Sequence, residues 1–127
     1  MSHRLLAGLT LLLVACSKPP STGPRNYGVA YRVTGSAGIS FDSGRYEDAQ
    51  GTLVTVVAPA PNWAVGFPAM TGDSVQATAW VVASAGGLSA SLRVMWTESG
   101  VSTQSDSSTT TTSAPGHFTL SIPRRQI

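Results

Sequence analysis

The stretch Ser74-Val75-Gln76-Ala77-Thr78-Ala79-Trp80-Val81-Val82-Ala83-Ser84-Ala85 decides the fold. Val75, Ala77, Ala79, Val81 and Ala83 fall at every second position. A strand sends alternate side chains to opposite faces, so these five share one face and predict a half-buried strand. Residues 88–97 repeat the pattern, with Ala90, Leu92, Val94 and Trp96 on one side. Between the two runs, Ala85-Gly86-Gly87 supplies what a tight hairpin needs, because glycine takes positive φ without steric cost.

Working outward, the same period recurs. In 27–34, Val29, Tyr31 and Val33 alternate with Ala30, Arg32 and Thr34. The turn Gly35-Ser36-Ala37-Gly38 follows, and Ile39-Ser40-Phe41 opens another strand. Residues 53–58 are β-branched and apolar until Pro59-Ala60-Pro61 stops them, and a short run near Trp63 to Phe67 is expected to end at Pro68. The last run alternates Phe118, Leu120 and Ile122 with Thr119 and Ser121. Glu98-Ser99-Gly100 reads as a turn, and the Ser/Thr-rich 101–113 reads as either an edge strand or a loop. No 3.6-residue period is sustained and no internal repeat stands out. Seven or eight short strands between Gly/Pro turns predict a small antiparallel β-sandwich, immunoglobulin-like, over 27–127, with a small barrel as the alternative.

The N-terminus predicts where this domain is placed. Arg4 precedes Leu5 to Ala15, eleven uncharged residues reading LLAGLTLLLVA. A bilayer-spanning helix takes about 20 apolar residues, so this run fits the core of an export signal, residues 1–15, instead. It ends Leu13-Val14-Ala15-Cys16, which resembles the bacterial lipobox. Cleavage after Ala15 and acylation of the Cys16 thiol are expected, giving a palmitate-type lipoprotein held in the cell envelope outside the cytoplasm. Residues 16–26, with Ser17-Lys18-Pro19-Pro20-Ser21-Thr22-Gly23-Pro24, read as an extended tether. By resemblance, Ser17 after the cysteine goes with outer-membrane sorting in a Gram-negative cell.

Composition narrows the classes. The chain has 127 residues, 42% hydrophobic and 11% charged, far from a disordered composition. Its formal charge is +2, and loss of Arg4 with the leader leaves it near +1. Arg25, Arg32, Arg45 and Arg93 are scattered along the chain, and only Arg124 and Arg125 adjoin. Nucleic-acid binding wants clustered cations, so it is not expected.

Residues 27–41, YGVAYRVTGSAGISF, look like the opening of the MmpS family of small mycobacterial membrane proteins, with Val33-Thr34-Gly35-Ser36-Ala37-Gly38 as the clearest motif. Pro61-Asn62-Trp63, and later Met70-Thr71-Gly72-Asp73-Ser74 ahead of the alanine-rich strand, are similar to that family's middle. The resemblance spans roughly residues 27–97. It implies a periplasm-facing β-sandwich acting as an accessory to proton-driven transporters of lipids and siderophores. Family members usually carry a transmembrane helix and often a cysteine pair, where this chain has a lipobox and Cys16 alone. Asn62 is inserted between the Pro and the Trp.

Chemistry-bearing groups are few. Beyond the leader the one histidine is His117, at the head of the last strand, where a solvated turn residue is expected. Zinc would want several His or Cys ligands. Asp42, Glu47 and Asp48 gather within seven residues, and a solvated hairpin loop is expected there in preference to calcium or paired-carboxylate chemistry. Gly35-Ser36-Ala37-Gly38 has no following Lys-Ser/Thr and reads as a turn, not a phosphate cradle. Neither an enzyme, nor a metal, nor a cofactor beyond the covalent lipid is expected. The informative residues are apolar ones on polar faces. Trp96 is in phase with the core, and Trp63 with core or rim. Trp80 and Val82 share a face with Gln76, Thr78 and Ser84, while Met95 shares one with Ser91, Arg93 and Thr97. Trp80, Val82 and Met95 are therefore the candidate contact residues, either under a loop or against a partner. The partner expected is the membrane through the lipid, together with an envelope transporter or another envelope protein. A surface module for glycan or lipid is the alternative.

Overall fold

The computed structural model describes residues 25–98 and 103–127. The leader, Cys16, most of the tether and the Glu98-Ser99-Gly100 turn lie outside or at the limit of those residues.

Eight strands follow in order: β1 (Asn26–Gly35), β2 (Ile39–Glu47), β3 (Leu53–Val57), β4 (Ala64–Met70), β5 (Ser74–Ala83), β6 (Ser89–Glu98), β7 (Thr103–Thr111) and β8 (Gly116–Gln126). They form two four-stranded sheets, β4-β1-β6-β7 and β3-β2-β5-β8, with every pairing antiparallel. The chain is a β-sandwich, as the alternation predicts. It is immunoglobulin-like in having two packed antiparallel sheets, but its strand order is not the ABED and CFG order of an immunoglobulin domain.

The core is what the period of two assigns. Val29, Tyr31 and Val33 of β1, the five alternating residues of β5, and Ala90, Leu92, Val94 and Trp96 of β6 are all buried. Ile39, Phe41, Leu120 and Ile122 join them, with Phe118 packed at the margin. A small residue on β5 faces large ones, so Ala77 lets Tyr31 and Leu92 approach the opposite sheet.

Four expectations are corrected. First, Ala85-Gly86-Gly87 does not close a hairpin, because β5 and β6 belong to different sheets. The glycines instead carry the chain across the sandwich, a sheet-to-sheet arch that requires the same backbone freedom. Second, β4 runs through Pro68, which faces Gly28 of β1. An edge strand has one side without ladder partners, so the missing N–H is tolerated there. Third, Asp42 to Glu47 is no hairpin loop. It is the second half of β2, with a register shift between Phe41 and Ser43, and Glu47 is buried; only Asp48 stands in the loop between β2 and β3. Fourth, pairing starts at Asn26, within what reads as tether.

The ambiguous 101–113 contains an edge strand. β7 pairs with β6 over nine positions, from Thr97↔Thr103 to Ser89↔Thr111. It has no apolar residue, so threonine's β preference and the ladder form it, not burial. Asp106 points to the inner side opposite Val94, and an inward charge is one way an edge resists further pairing.

The topology also holds a symmetry that the letters hide. Replacing β1–β4 by β5–β8, and the reverse, turns the order 4-1-6-7 into 8-5-2-3, which is the other sheet. Each half is one unit: an outer strand pair in one sheet (β1·β4, β5·β8) and an inner hairpin in the other (β2·β3, β6·β7). Under this exchange of strands, Ser36-Ala37-Gly38-Ile39-Ser40 corresponds in sequence to Ser84-Ala85-Gly86 with Leu88-Ser89, and Ala60-Pro61 before β4 to Ala114-Pro115 before β8. The two arches touch: Ser36 N donates to Ser89 O and Ser84 N to Gly38 O. A Cβ on Gly38, whose φ is +92°, would meet Ser84 Oγ at 2.7 Å.

Candidate functional site

The outer face of the β3-β2-β5-β8 sheet carries the first two candidates. Trp80 lies at the centre of a cross-strand row, Val57–Ser43–Trp80–Thr119. Val82 heads the next row, between Ser40 and His117, and Thr55–Arg45–Thr78–Ser121 forms the row on the other side. Trp80 is half-buried. Its neighbour is the Arg45 guanidinium, 5.6 Å from the ring centroid, a distance at which a cation is attracted to the negative face of the indole. Val57 is 81% exposed in the same row, the most exposed large apolar side chain described. His117, with Asp42 at 3.7 Å, closes the far end, both side chains mostly in water. The solvated histidine of the sequence reading therefore stands opposite a carboxylate on the rim of this face.

The third candidate is elsewhere. Met95 faces outward from β6 in the other sheet, in register with Ala30 and Ser105. It is on the opposite side of the sandwich from Trp80 and Val82, so the three do not form one surface. Alternation assigned each residue to an outer face correctly, but which two outer faces coincide depends on which sheet each strand joins, and the hairpin reading put β5 and β6 side by side.

Trp96 is core, with Arg125 5.4 Å over its ring. Trp63 is rim: it packs on Tyr46 at 5.9 Å, and Tyr46 on Tyr31 at 5.2 Å and Phe67 at 6.2 Å. These rings fill the side of the sandwich between edge strands β3 and β4.

At one end, sequence reasoning missed a polar knot. Tyr31 crosses from its sheet to the other, donates to Glu47 O (2.9 Å) and accepts from Gln76 N–H (3.3 Å). The β5·β8 register slips between Val75 and Ala77, next to that N–H. Burial pushes the Tyr31 phenol well above its usual pKa; the Gln76 hydrogen bond pulls the other way, and the Glu47 charge adds to the rise. The Glu47 side chain is 2% exposed, accepting from Gln76 Nε2 (2.8 Å) and Arg124 Nε (3.1 Å). Each of its oxygens has a cationic or amide donor, so the buried carboxylate is paired and fastens the strands around it. Among the described residues, no three His, Cys, Asp or Glu side chains converge to hold a metal ion.

Comparison with known proteins gives no matching family model, no matching curated protein and no matching solved structure.

Proposed function

We propose that this chain is a lipid-anchored, non-enzymatic module of the bacterial envelope. In this reading it is fixed by Cys16 and holds or scaffolds an envelope partner outside the cytoplasm. The partner rests on the outer face around Trp80. The observation that carries the reading is the row in which Trp80 and the solvent-exposed Val57 flank Ser43, with Val82 one row away. Trp80 and Val82 on the central strand β5, with Val57 on the edge strand β3, stand among polar groups that include Arg45, Asp42 and His117, a mixture with the composition of a small protein interface. The sequence resemblance to the MmpS family supports a transporter as the partner, with the domain as its accessory.

A second reading is favoured by the hydroxyls around the indole. Ser40, Ser43, Thr78, Thr119 and Ser121 adjoin Trp80, a surrounding that also suits a sugar stacked on the ring. Photo-crosslinkers placed in cells at Val57 and Thr119, with one at Thr109 on β7 as control, separate the readings. A transporter subunit captured from 57 and 119 alone is the expected result. Glycan capture from the same positions supports the second reading, and equal capture from 109 removes the Trp80 face from both.

A further inference from the structure

We propose that Arg32, Arg93 and the hydroxyl-lined hollow beside them bind a phosphorylated polyol, such as an inositol or glycerol phosphate. The arginines are 61 positions apart in sequence, but β1 and β6 place them directly opposite each other. Both are exposed, on the face of the β4-β1-β6-β7 sheet that points away from the Trp80 face. Directly opposed residues have Cβ atoms about 5 Å apart, and like charges there repel.

Among the described residues, no carboxylate on that face offsets the repulsion. The four strands contain two carboxylates, Glu98 and Asp106. Their register partners are the inward Tyr27 and Val94, so both take the inner side, and Glu98 is held by Arg25 at 3.2 Å. Among the described residues neither Arg32 nor Arg93 has an ion-pair partner; Arg93 reaches Ser105 Oγ only at 3.5 Å. Two adjacent guanidiniums with no carboxylate to share form an anion site. A carboxylate saturates one guanidinium fork with its two oxygens, whereas a phosphate has a third acceptor for the second arginine.

The neighbouring row supplies the rest. Thr34, Ser91 and Thr109 lie side by side, one outward step (about 6–7 Å) along the strands from the arginines. With Ser36 and Ser89, and with Gly35 and Ala90 between them, they line an open hollow of about 200 Å³. Within the described residues, the hydroxyls of Thr34, Ser89, Ser91 and Thr109 make no hydrogen bond, so they are available to a ligand. The hollow is below the ~300–1,000 Å³ of pockets that take drug-sized molecules, which suits a headgroup-sized polyol. A ligand with a phosphate at one end and hydroxyls at the other matches guanidiniums and hydroxyls at that separation. The site lies across the sandwich from Trp80, so it stands or falls independently of the partner face.

The test is an NMR titration of the full chain in neutral detergent with myo-inositol 1-phosphate, myo-inositol and inorganic phosphate in turn. Inositol phosphate is expected to bind at least tenfold tighter than either fragment and to shift the Arg32 and Arg93 side-chain signals with the Thr34 and Ser91 amides. Arg32→Gln and Arg93→Gln are each expected to weaken it at least tenfold with the melting temperature unchanged or raised, since repulsion is relieved. Thr34→Val is expected to erase the advantage over inorganic phosphate. Equal affinity for inorganic phosphate, shifts confined to other regions, or undiminished binding by both arginine variants overturns the proposal. Competition by phosphatidylinositol in phosphatidylcholine vesicles, against phosphatidylcholine alone, identifies a bilayer headgroup as the source. Its absence, with free inositol phosphate bound, identifies a soluble phosphate ester; both results uphold the site.

Discussion

The Tyr31 phenol, rooted in β1 of one sheet, donates a 2.9 Å hydrogen bond to the backbone carbonyl of Glu47 at the end of β2 in the other. It also accepts from the Gln76 amide, so a single oxygen joins three strands across the core. Tyr31→Phe keeps the ring packing and strips this oxygen, leaving a backbone donor and acceptor short of a partner. A loss of about 1–3 kcal/mol is expected in urea unfolding, the cost of orphaning buried polar groups.

The same phenol makes stability fall in alkali. Its folded pKa is raised, chiefly by burial, above the ordinary tyrosine value near 10. Below that value both states keep the proton and the contribution is full. Above it the unfolded chain gives the proton up first, so stability drops with rising pH, by at most about 1.4 kcal/mol per pH unit from this group. Urea midpoints measured from pH 8 to 11.5 are expected to fall more steeply for the native chain than for Tyr31→Phe.

Glu47 predicts an asymmetry between two arginines. Arg124→Ala leaves a carboxylate that is 2% exposed with the Gln76 amide as its remaining side-chain donor. A loss of about 1.5–3 kcal/mol is expected, the range for hydrogen bonds to charged groups. Arg45→Ala, which removes only an exposed partner of Trp80, is expected to cost under about 1 kcal/mol. Thermal melts of the two variants side by side check the ordering.

The tryptophans divide between stability and binding. Trp96 is 4% exposed in the core, and Trp96→Ala is expected to cost about 3–5 kcal/mol. Trp80→Ala is expected to cost well under half of that while reducing crosslinked partner severalfold. A Trp80 variant as unstable as the Trp96 variant would make Trp80 a packing residue.

Glycine positions in β1 give an internal control. A Cβ at Gly35 would sit 2.6 Å from Ile39 Cγ2, whereas one at Gly28 would meet nothing within 4 Å. Gly35→Ala is therefore expected to lower the melting temperature, while Gly28→Ala leaves it unchanged or raises it by restricting the unfolded chain.

How much of this was legible depended on whether the information was local. Alternation in 74–85 and 88–97 fixed which side chains are buried, because a period of two is a property of one strand. Sheet membership is not local. Gly86-Gly87 permits a hairpin and an arch equally, and only the pairing of β5 with β2 and β8 decides between them. That choice separated Met95 from Trp80 and joined Arg32 to Arg93, neither of which sequence spacing reveals. Glu47 looked solvated for the same reason, since its partner Arg124 is 77 residues away. The two-fold relation was obscured because β7 carries serine and threonine where its counterpart β3 carries valine and leucine.

Cys16 carries the envelope role, and the intact mass of the protein extracted from native membranes tests that role most directly. The expected species starts at Cys16, lacks residues 1–15 and carries a diacylglyceride, with or without a further acyl chain. A cytosolic species that retains Met1 and has an unmodified thiol would contradict both the anchor and an envelope role for the Trp80 face.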